Sequence, residues 1–146
     1  RYFQPTPVMP WTEALRSIEN KDGVDLILLI THTSERENFM NFTRNYIAFP
    51  EVIFTRKDRL FVSGKKDLEG RVIATENGFV SSDLIRRDIP QVKLLETETS
   101  AEALEAVALG KADAYIGNLA VGSYLVDKEG LVDLKIAAPT DYGDDS

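Results

Sequence analysis

The stretch VKLLETETSAEALEAVALGKADAYIGN, residues Val92–Asn118, decides the fold class. Val92–Glu96 opens it as a strand, rich in branched apolar residues. Thr99 and Glu102 then stand at capping-box spacing, where a hydroxyl and a carboxylate satisfy the first free amides of a helix. Ala101, Leu104, Val107 and Ala108 recur at helical period and predict one apolar face. Gly110 suits the left-handed residue that closes such a helix. Ala112–Gly117 is a second strand. Strand, helix and strand in that order predict an α/β architecture with mostly parallel sheets.

The pattern extends in both directions. Toward the N-terminus, Arg71–Thr75 reads as a strand broken by Asn77-Gly78, and Val80–Arg87 as a helix stopped before Pro90. Val52–Arg56 and Leu60–Ser63 read as strands. Ser34 and Glu37 have capping-box spacing and predict a helix from Ser34. Asp25–Ile30 contains a short continuous apolar run, the pattern of a strand buried on both faces. Pro10 suits a helix's first turn, and Trp11, Ala14, Leu15 and Ile18 share one helical face before Asp22-Gly23. Toward the C-terminus, Leu119–Val126 reads as a helix and Leu134–Ala138 as a strand.

Composition narrows the function classes. The 146 residues suffice for about one ordinary domain. Hydrophobic residues at 43% and charged residues at 28% match a folded chain, not a disordered one. Seventeen basic against twenty-four acidic residues give a net charge of −7. That argues against nucleic acid or an anionic membrane as partner, since both require Lys and Arg to neutralise phosphate. No cysteine is present, which excludes zinc–thiolate sites, disulfides and thiol catalysis. No apolar run reaches the roughly 18 residues of a membrane span. The abrupt ends, Arg1-Tyr2-Phe3 and Tyr142-Gly143-Asp144-Asp145-Ser146, read as a piece of something longer, with Asp144-Asp145 a solvated tail.

In open α/β sheets ligands sit outside the carboxyl ends of strands. Three strand ends here carry small or polar residues: Thr31-His32-Thr33, Glu76-Asn77-Gly78 and Gly117-Asn118. Each precedes a predicted helix, whose first amides favour an anion. On spacing alone the same residues serve equally as loops and N-caps. His32 is the single histidine, has no evident partners for a triad or metal site, and reads as a loop residue. No cofactor and no metal site is expected.

The wording of the chain goes further. Thr31-His32-Thr33-Ser34-Glu35-Arg36-Glu37 followed by Phe42-Thr43-Arg44-Asn45-Tyr46 resembles the "T-x-T-x-E-R … F-T-x-x-Y" signature of bacterial family 3 extracellular solute-binding proteins. Asp67-Leu68-Glu69-Gly70-Arg71-Val72 resembles their "D-L-x-G-K/R-x-V". Gly110-Lys111-Ala112-Asp113-Ala114-Tyr115-Ile116-Gly117-Asn118 resembles their "G-x-A-D-A-x-x-x-D". The resemblance runs from about Trp11 to Ala138. Tyr115–Val121 is more similar to the versions fused to sensor histidine kinases than to free transport proteins.

The resemblance implies a two-lobed, hinge-bending periplasmic-binding-protein type II ("Venus flytrap") fold with a ligand cleft between lobes. The chain would cross between lobes near Phe49–Thr55 and near Ala138–Gly143. Residues 1–55 would be a partial first lobe, 56–137 a complete second lobe, and 138–146 the second crossing and a truncated return. The partial lobe is expected to expose core surface and to favour self-association, with a homodimer as the expected form.

Residue by residue, Arg36 matches the family's clamp for a ligand carboxylate; its planar guanidinium fork suits two oxygens. A surface arginine paired with Glu35 or Glu37 is the plainer alternative. Thr31 matches a threonine holding the same carboxylate. Trp11 matches an aromatic packed on the ligand, although its place on an apolar face also suits core packing. Gly78 and Phe79 match a loop whose amides reach the ligand. Asn118 departs from the pattern: the family usually has an aspartate there, paired with an α-ammonium. A neutral amide predicts preference for an organic acid over an α-amino acid, unless another carboxylate has moved in, Glu76 being the candidate.

The function so implied is an extracytoplasmic, periplasmic sensor domain for a small polar, carboxylate-bearing solute, without enzymatic activity of its own. Its membrane link would lie in flanking segments, and its output would be a signalling partner such as a histidine kinase. Three alternatives stay open: a free solute-binding component of an ABC-type transporter, a periplasmic dehydratase-like enzyme, and a domain whose cleft binds nothing.

Overall fold

The structure, a computed structural model, describes residues 3–59 and 61–142. Its centre is one five-stranded sheet. In chain order the strands are β1 (Glu51–Arg56), β2 (Val72–Glu76), β3 (Lys93–Thr97), β4 (Ala114–Asn118) and β5 (Leu134–Pro139). The helices are α1 (Trp11–Glu19), α2 (Val80–Asp88), α3 (Ser100–Ala108) and α4 (Leu119–Lys128). Spatial strand order is β3-β2-β4-β1-β5.

The sheet is mixed, not mostly parallel as the strand–helix alternation suggests. β2 runs parallel to β3 and β4, but β1 runs antiparallel to both β4 and β5. No helix separates β1 from a parallel neighbour: β1 reaches its partners from outside the β–α–β series, so no crossover fixes its direction.

Alternation along the strands builds a core on each face. Val52, Phe54, Ala74 and Tyr115 point to α3, where Leu104 and Val107 are fully buried. Ile53, Ile73, Ala114 and Ile116 point to the other face, against Ile85 of α2 and Leu68. Each large side chain so buried contributes roughly 1.5–3 kcal/mol. The buried face of α3 includes Ala103 and Ala106, rotated from the predicted Ala101 and Ala108, which are only half-buried. Thr99 caps α3 as its spacing predicts, its Oγ1 accepting from the Glu102 amide at 3.2 Å. The Glu102 carboxylate reaches the Glu98 amide instead of the cap's own.

Three further expectations are corrected. Asp25–Ile30 forms no strand, and Leu28 is 74% exposed. A buried parallel strand needs paired strands on its edges, and among the described residues no strand pairs with this segment. The helix predicted from Ser34 is reduced to a 3-10 turn, Arg36–Asn38, whose amides bond to Thr33, Glu35 and the Thr33 hydroxyl. Phe61–Ser63 is not a strand: Phe61 is exposed and Ser63 bonds to the Asp67 carboxylate. Leu60, the tail Asp144-Asp145 and the final residues of the second crossing lie outside the described residues.

Candidate functional site

Topology gathers chemistry at one edge of the sheet. β2, β3 and β4 are parallel, so their C-terminal residues Glu76, Thr97 and Asn118 come out on one side. β1 is antiparallel and contributes its first residue there: Glu51 is the Cα partner of Asn118. The end of β5 joins them. Thr140 N donates to Glu51 O at 3.0 Å, and Glu51 N donates to Tyr142 O at 3.2 Å. The two segments expected to cross between lobes are thus hydrogen-bonded side by side.

Over this edge lie α1 and the Thr31–Arg36 segment. Gly78 makes the approach possible. Its φ is +78°, and a Cβ there would stand 3.2 Å from Thr12 Cγ2 and 3.6 Å from Trp11 Cδ1. Both the left-handed backbone and the contact favour glycine. Trp11 meets Phe79 edge to face at 5.6 Å. Arg36 Nη1 donates to Thr31 O at 2.8 Å, and Nη2 donates to Gly78 O at 3.3 Å. The guanidinium also lies 5.7 Å from the Trp11 ring centroid, within cation–π range. Arg36 is only 7% exposed, so it is not the solvated, Glu-paired arginine of the plainer alternative. Burial lowers its pKa, and Glu35 acts against that.

Between these layers is a cavity of about 490 Å³, a volume suited to a small solute. Of the sequence-predicted residues, Trp11, Thr31, Arg36, Phe79 and Asn118 line it. Gly78 does not; it enters through its carbonyl on Arg36. Asn118 caps α4, its Oδ1 accepting from Ala120 N at 2.9 Å and Val121 N at 3.1 Å. The Trp11 Nε1–H is buried without an acceptor. His32 is exposed, bonded to Glu37 at 2.8 Å, and outside the cavity lining.

Glu76 does not line the cavity. Its Oε2 accepts from Ser100 N at 2.8 Å and Ser100 Oγ at 2.6 Å, and Ser100 Oγ also meets the Tyr115 hydroxyl at 3.0 Å. Burial raises the Glu76 pKa, while Ser100 and the Trp11 amide hold it down.

Sequence reasoning missed Glu51, Arg44 and Phe49, all in the lining. Arg44 lay inside the quoted motif, so that signal was present. Glu51 and Phe49 lay inside the expected first crossing, Phe49–Thr55, but nothing there marked the Glu51 side chain for the cavity, because that follows from the β1–β4 register. Burial pushes the Glu51 carboxyl up to about 7. Ser81 acts in the opposite direction, but its hydroxyl and Glu51 Oε2 both lack a hydrogen-bond partner at proper geometry.

No family model matches the chain. It is 33% identical over 108 residues, 74% of its length, to the virulence sensor protein BvgS of Bordetella pertussis. It is 32% identical over 96 residues, 65% of its length, to the glutamine-binding protein of Geobacillus stearothermophilus. The chain spans only 9% of the first protein and 37% of the second. Among solved structures, a histidine kinase sensor domain with similarity to periplasmic binding proteins superposes with TM-score 0.81 at 26% identity. That match covers 89% of this chain and 57% of the other. The BvgS VFT2 domain superposes with TM-score 0.74 at 27% identity, covering 93% of this chain and 58% of the other. Among the described residues no helix is long and apolar enough to cross a membrane. The chain is a homologue of solute-binding proteins and of sensor domains built like them, and it has their α/β, Venus flytrap fold with one lobe incomplete in this chain.

Proposed function

We propose that this chain is the periplasmic ligand-sensing domain of a sensor protein, with a histidine kinase as its output. It takes a small carboxylate-bearing solute into the cavity between the sheet edge and the Trp11–Arg36 layer. The observation that carries this reading is Arg36: a buried guanidinium bound to Thr31 O on its own side and Gly78 O on the other, at the cavity wall. Two of its five N–H groups are used in those bonds, leaving three for a ligand.

The division into residues 1–55, 56–137 and 138–146 is part of the proposal. It is supported by the absence of any strand among described residues before Glu51, and by the paired segments at Glu51 and Thr140. Closure of the cleft on ligand would then bias the output, by no more than the ligand's differential affinity for open and closed forms. The exposed Leu26, Leu28 and Leu29 support self-association, in which a second copy covers that segment.

The domain is read as non-enzymatic. Its relatives are sensor and solute-binding proteins, and Glu76, the carboxylate at the end of β2 that an acid–base reaction would call on, is committed to Ser100. A free solute-binding component of a transporter is the second reading, favoured by the glutamine-binding relative. Titration calorimetry with a panel of carboxylates and amino acids tests the site; binding that survives Arg36→Ala undiminished removes Arg36 from it.

A further inference from the structure

Two carboxylates stand at the cleft edge of the sheet, and they have different duties. Glu76 is satisfied by the Ser100 amide and hydroxyl and stays out of the cavity lining. Glu51 lines the cavity, yet its Oε2 is buried with no donor. A buried carboxylate oxygen without a donor is costly, so such a group takes up either a proton or a cation.

The remaining charges of the wall are Arg36 and Arg44, and neither forms an ion pair with Glu51 among the described residues. Asn118, directly across the strand pair, cannot take a cation in its place. Its Oδ1 already accepts from two α4 amides, which leaves its NH₂ group, a donor. Among the described residues Glu51 is therefore the single carboxyl group in the cavity lining.

We propose that Glu51, presented by the first residue of β1, recognises a protonated nitrogen of the ligand whose carboxylate Arg36 holds. The negative charge then comes from the strand between the lobes, not from the cap of α4. The proposal rests on the cleft reading above. The groups facing Glu51 are Ser81 on α2, Tyr115 and Asn118 on β4, Thr140 after β5, and the two arginines across the cavity. Among these only the arginines carry charge near neutrality, and burial and Ser81, not the arginines, govern the Glu51 titration.

Calorimetry on the full chain tests the proposal with L-α-amino acids and their des-amino carboxylic acids as probes. The expected result is at least one amino acid that binds roughly 30-fold or more tighter than its des-amino mate. Glu51→Gln should erase that preference by weakening the amino acid, and Arg36→Ala should weaken both mates. Equal affinities in the wild type, or a preference untouched by Glu51→Gln, overturns the role of Glu51 and leaves the cleft reading standing. Binding of no probe, or binding indifferent to Arg36→Ala, overturns the cleft reading and the inference with it. Unliganded Glu51→Gln should melt no lower than wild type near pH 8; a lower melting temperature would make Glu51 a structural residue and also overturn the proposal.

Discussion

Glu51 and Asn118 are Cα partners at the end of the β1–β4 pair, where the sheet meets the cavity. One is a carboxyl with a buried, unsatisfied oxygen, and the other is an amide whose oxygen is spent on a helix cap. Substitution at either position therefore alters the same spot, through different physics.

Stability should fall with pH because of Glu51. Its carboxyl sits near 7 in the fold against about 4.5 in the unfolded chain, so the native state binds the extra proton between those values. The contribution is fully present below the unfolded value and is lost as pH rises through 7, on the order of 3 kcal/mol. Glu51→Gln removes it, so the variant should gain on wild type from about pH 5 to about pH 8. Asp88, held low by Arg87 and Lys65, titrates below this window and does not interfere. Urea unfolding at several pH values measures the gap; a gap that does not vary with pH refutes the assignment.

Arg36→Ala should weaken a carboxylate ligand by about 2–5 kcal/mol, as expected for truncating one partner of a buried charge pair. Arg36→Lys should recover only part of that. A lysine restores the charge, but a single ammonium cannot hold Thr31 O, Gly78 O and a two-oxygen ligand in one plane. Calorimetric titration of the three proteins decides it, and full rescue by lysine would mean that charge alone matters.

Glu76→Ala should act on stability and not on ligand choice. It leaves Ser100 N and Oγ without their acceptor at the start of α3, a loss of about 1–3 kcal/mol. Denaturant unfolding should show the loss while the amine preference stays unchanged. A selective loss of binding at wild-type stability would reverse the duties given to Glu76 and Glu51.

What the sequence revealed follows from how local each signal is. The Thr99 cap, the Gly110 turn and the strands of residues 72–118 depend on neighbours in the chain, and all stand within a residue or two of their expected places. The run Leu26–Ile30 has the composition of a buried strand too, but a strand also needs a partner, and composition does not say whether one is there. The motif residues Trp11, Thr31, Arg36, Phe79 and Asn118 do meet at one cavity. Glu51 stayed hidden because its role depends on antiparallel register, and the alternation of strands and helices pointed to parallel pairing.

Gly122→Ala should destabilise the fold by about 1–3 kcal/mol, the usual cost of overpacking. α4 lies so close to β1 that a Cβ at this position would stand 2.5 Å from Phe54 Cε2 and Cζ. Phe54 is buried and held between Val52, Leu104 and Tyr115, so its ring has little room to retreat. Alanine favours helix over glycine by roughly 1 kcal/mol, so a melting temperature equal to or above wild type would show that the packing is looser than this.

Asn118 offers a test by relocation of charge. Asn118→Ala should cost about 1 kcal/mol, because it removes the bonds to Ala120 N and Val121 N. Asn118→Asp keeps that cap and places a negative charge at a helix N-terminus, where it is favoured. Beside Glu51, however, a second carboxylate raises the pKa of the pair, so one of the two keeps its proton and the single variant gains little new selectivity. The informative protein is the double variant Glu51→Gln with Asn118→Asp. It returns one carboxylate to the cavity edge, across the strand pair from where it was removed. If charge at that spot sets ligand class, Glu51→Gln alone loses the preference for an amine-bearing ligand, and the double variant recovers most of it. Calorimetric affinity ratios for amino and des-amino mates across the four proteins give the answer. A double variant as unselective as Glu51→Gln would mean that the exact placement of the β1 carboxylate, and not the charge at the edge, governs recognition.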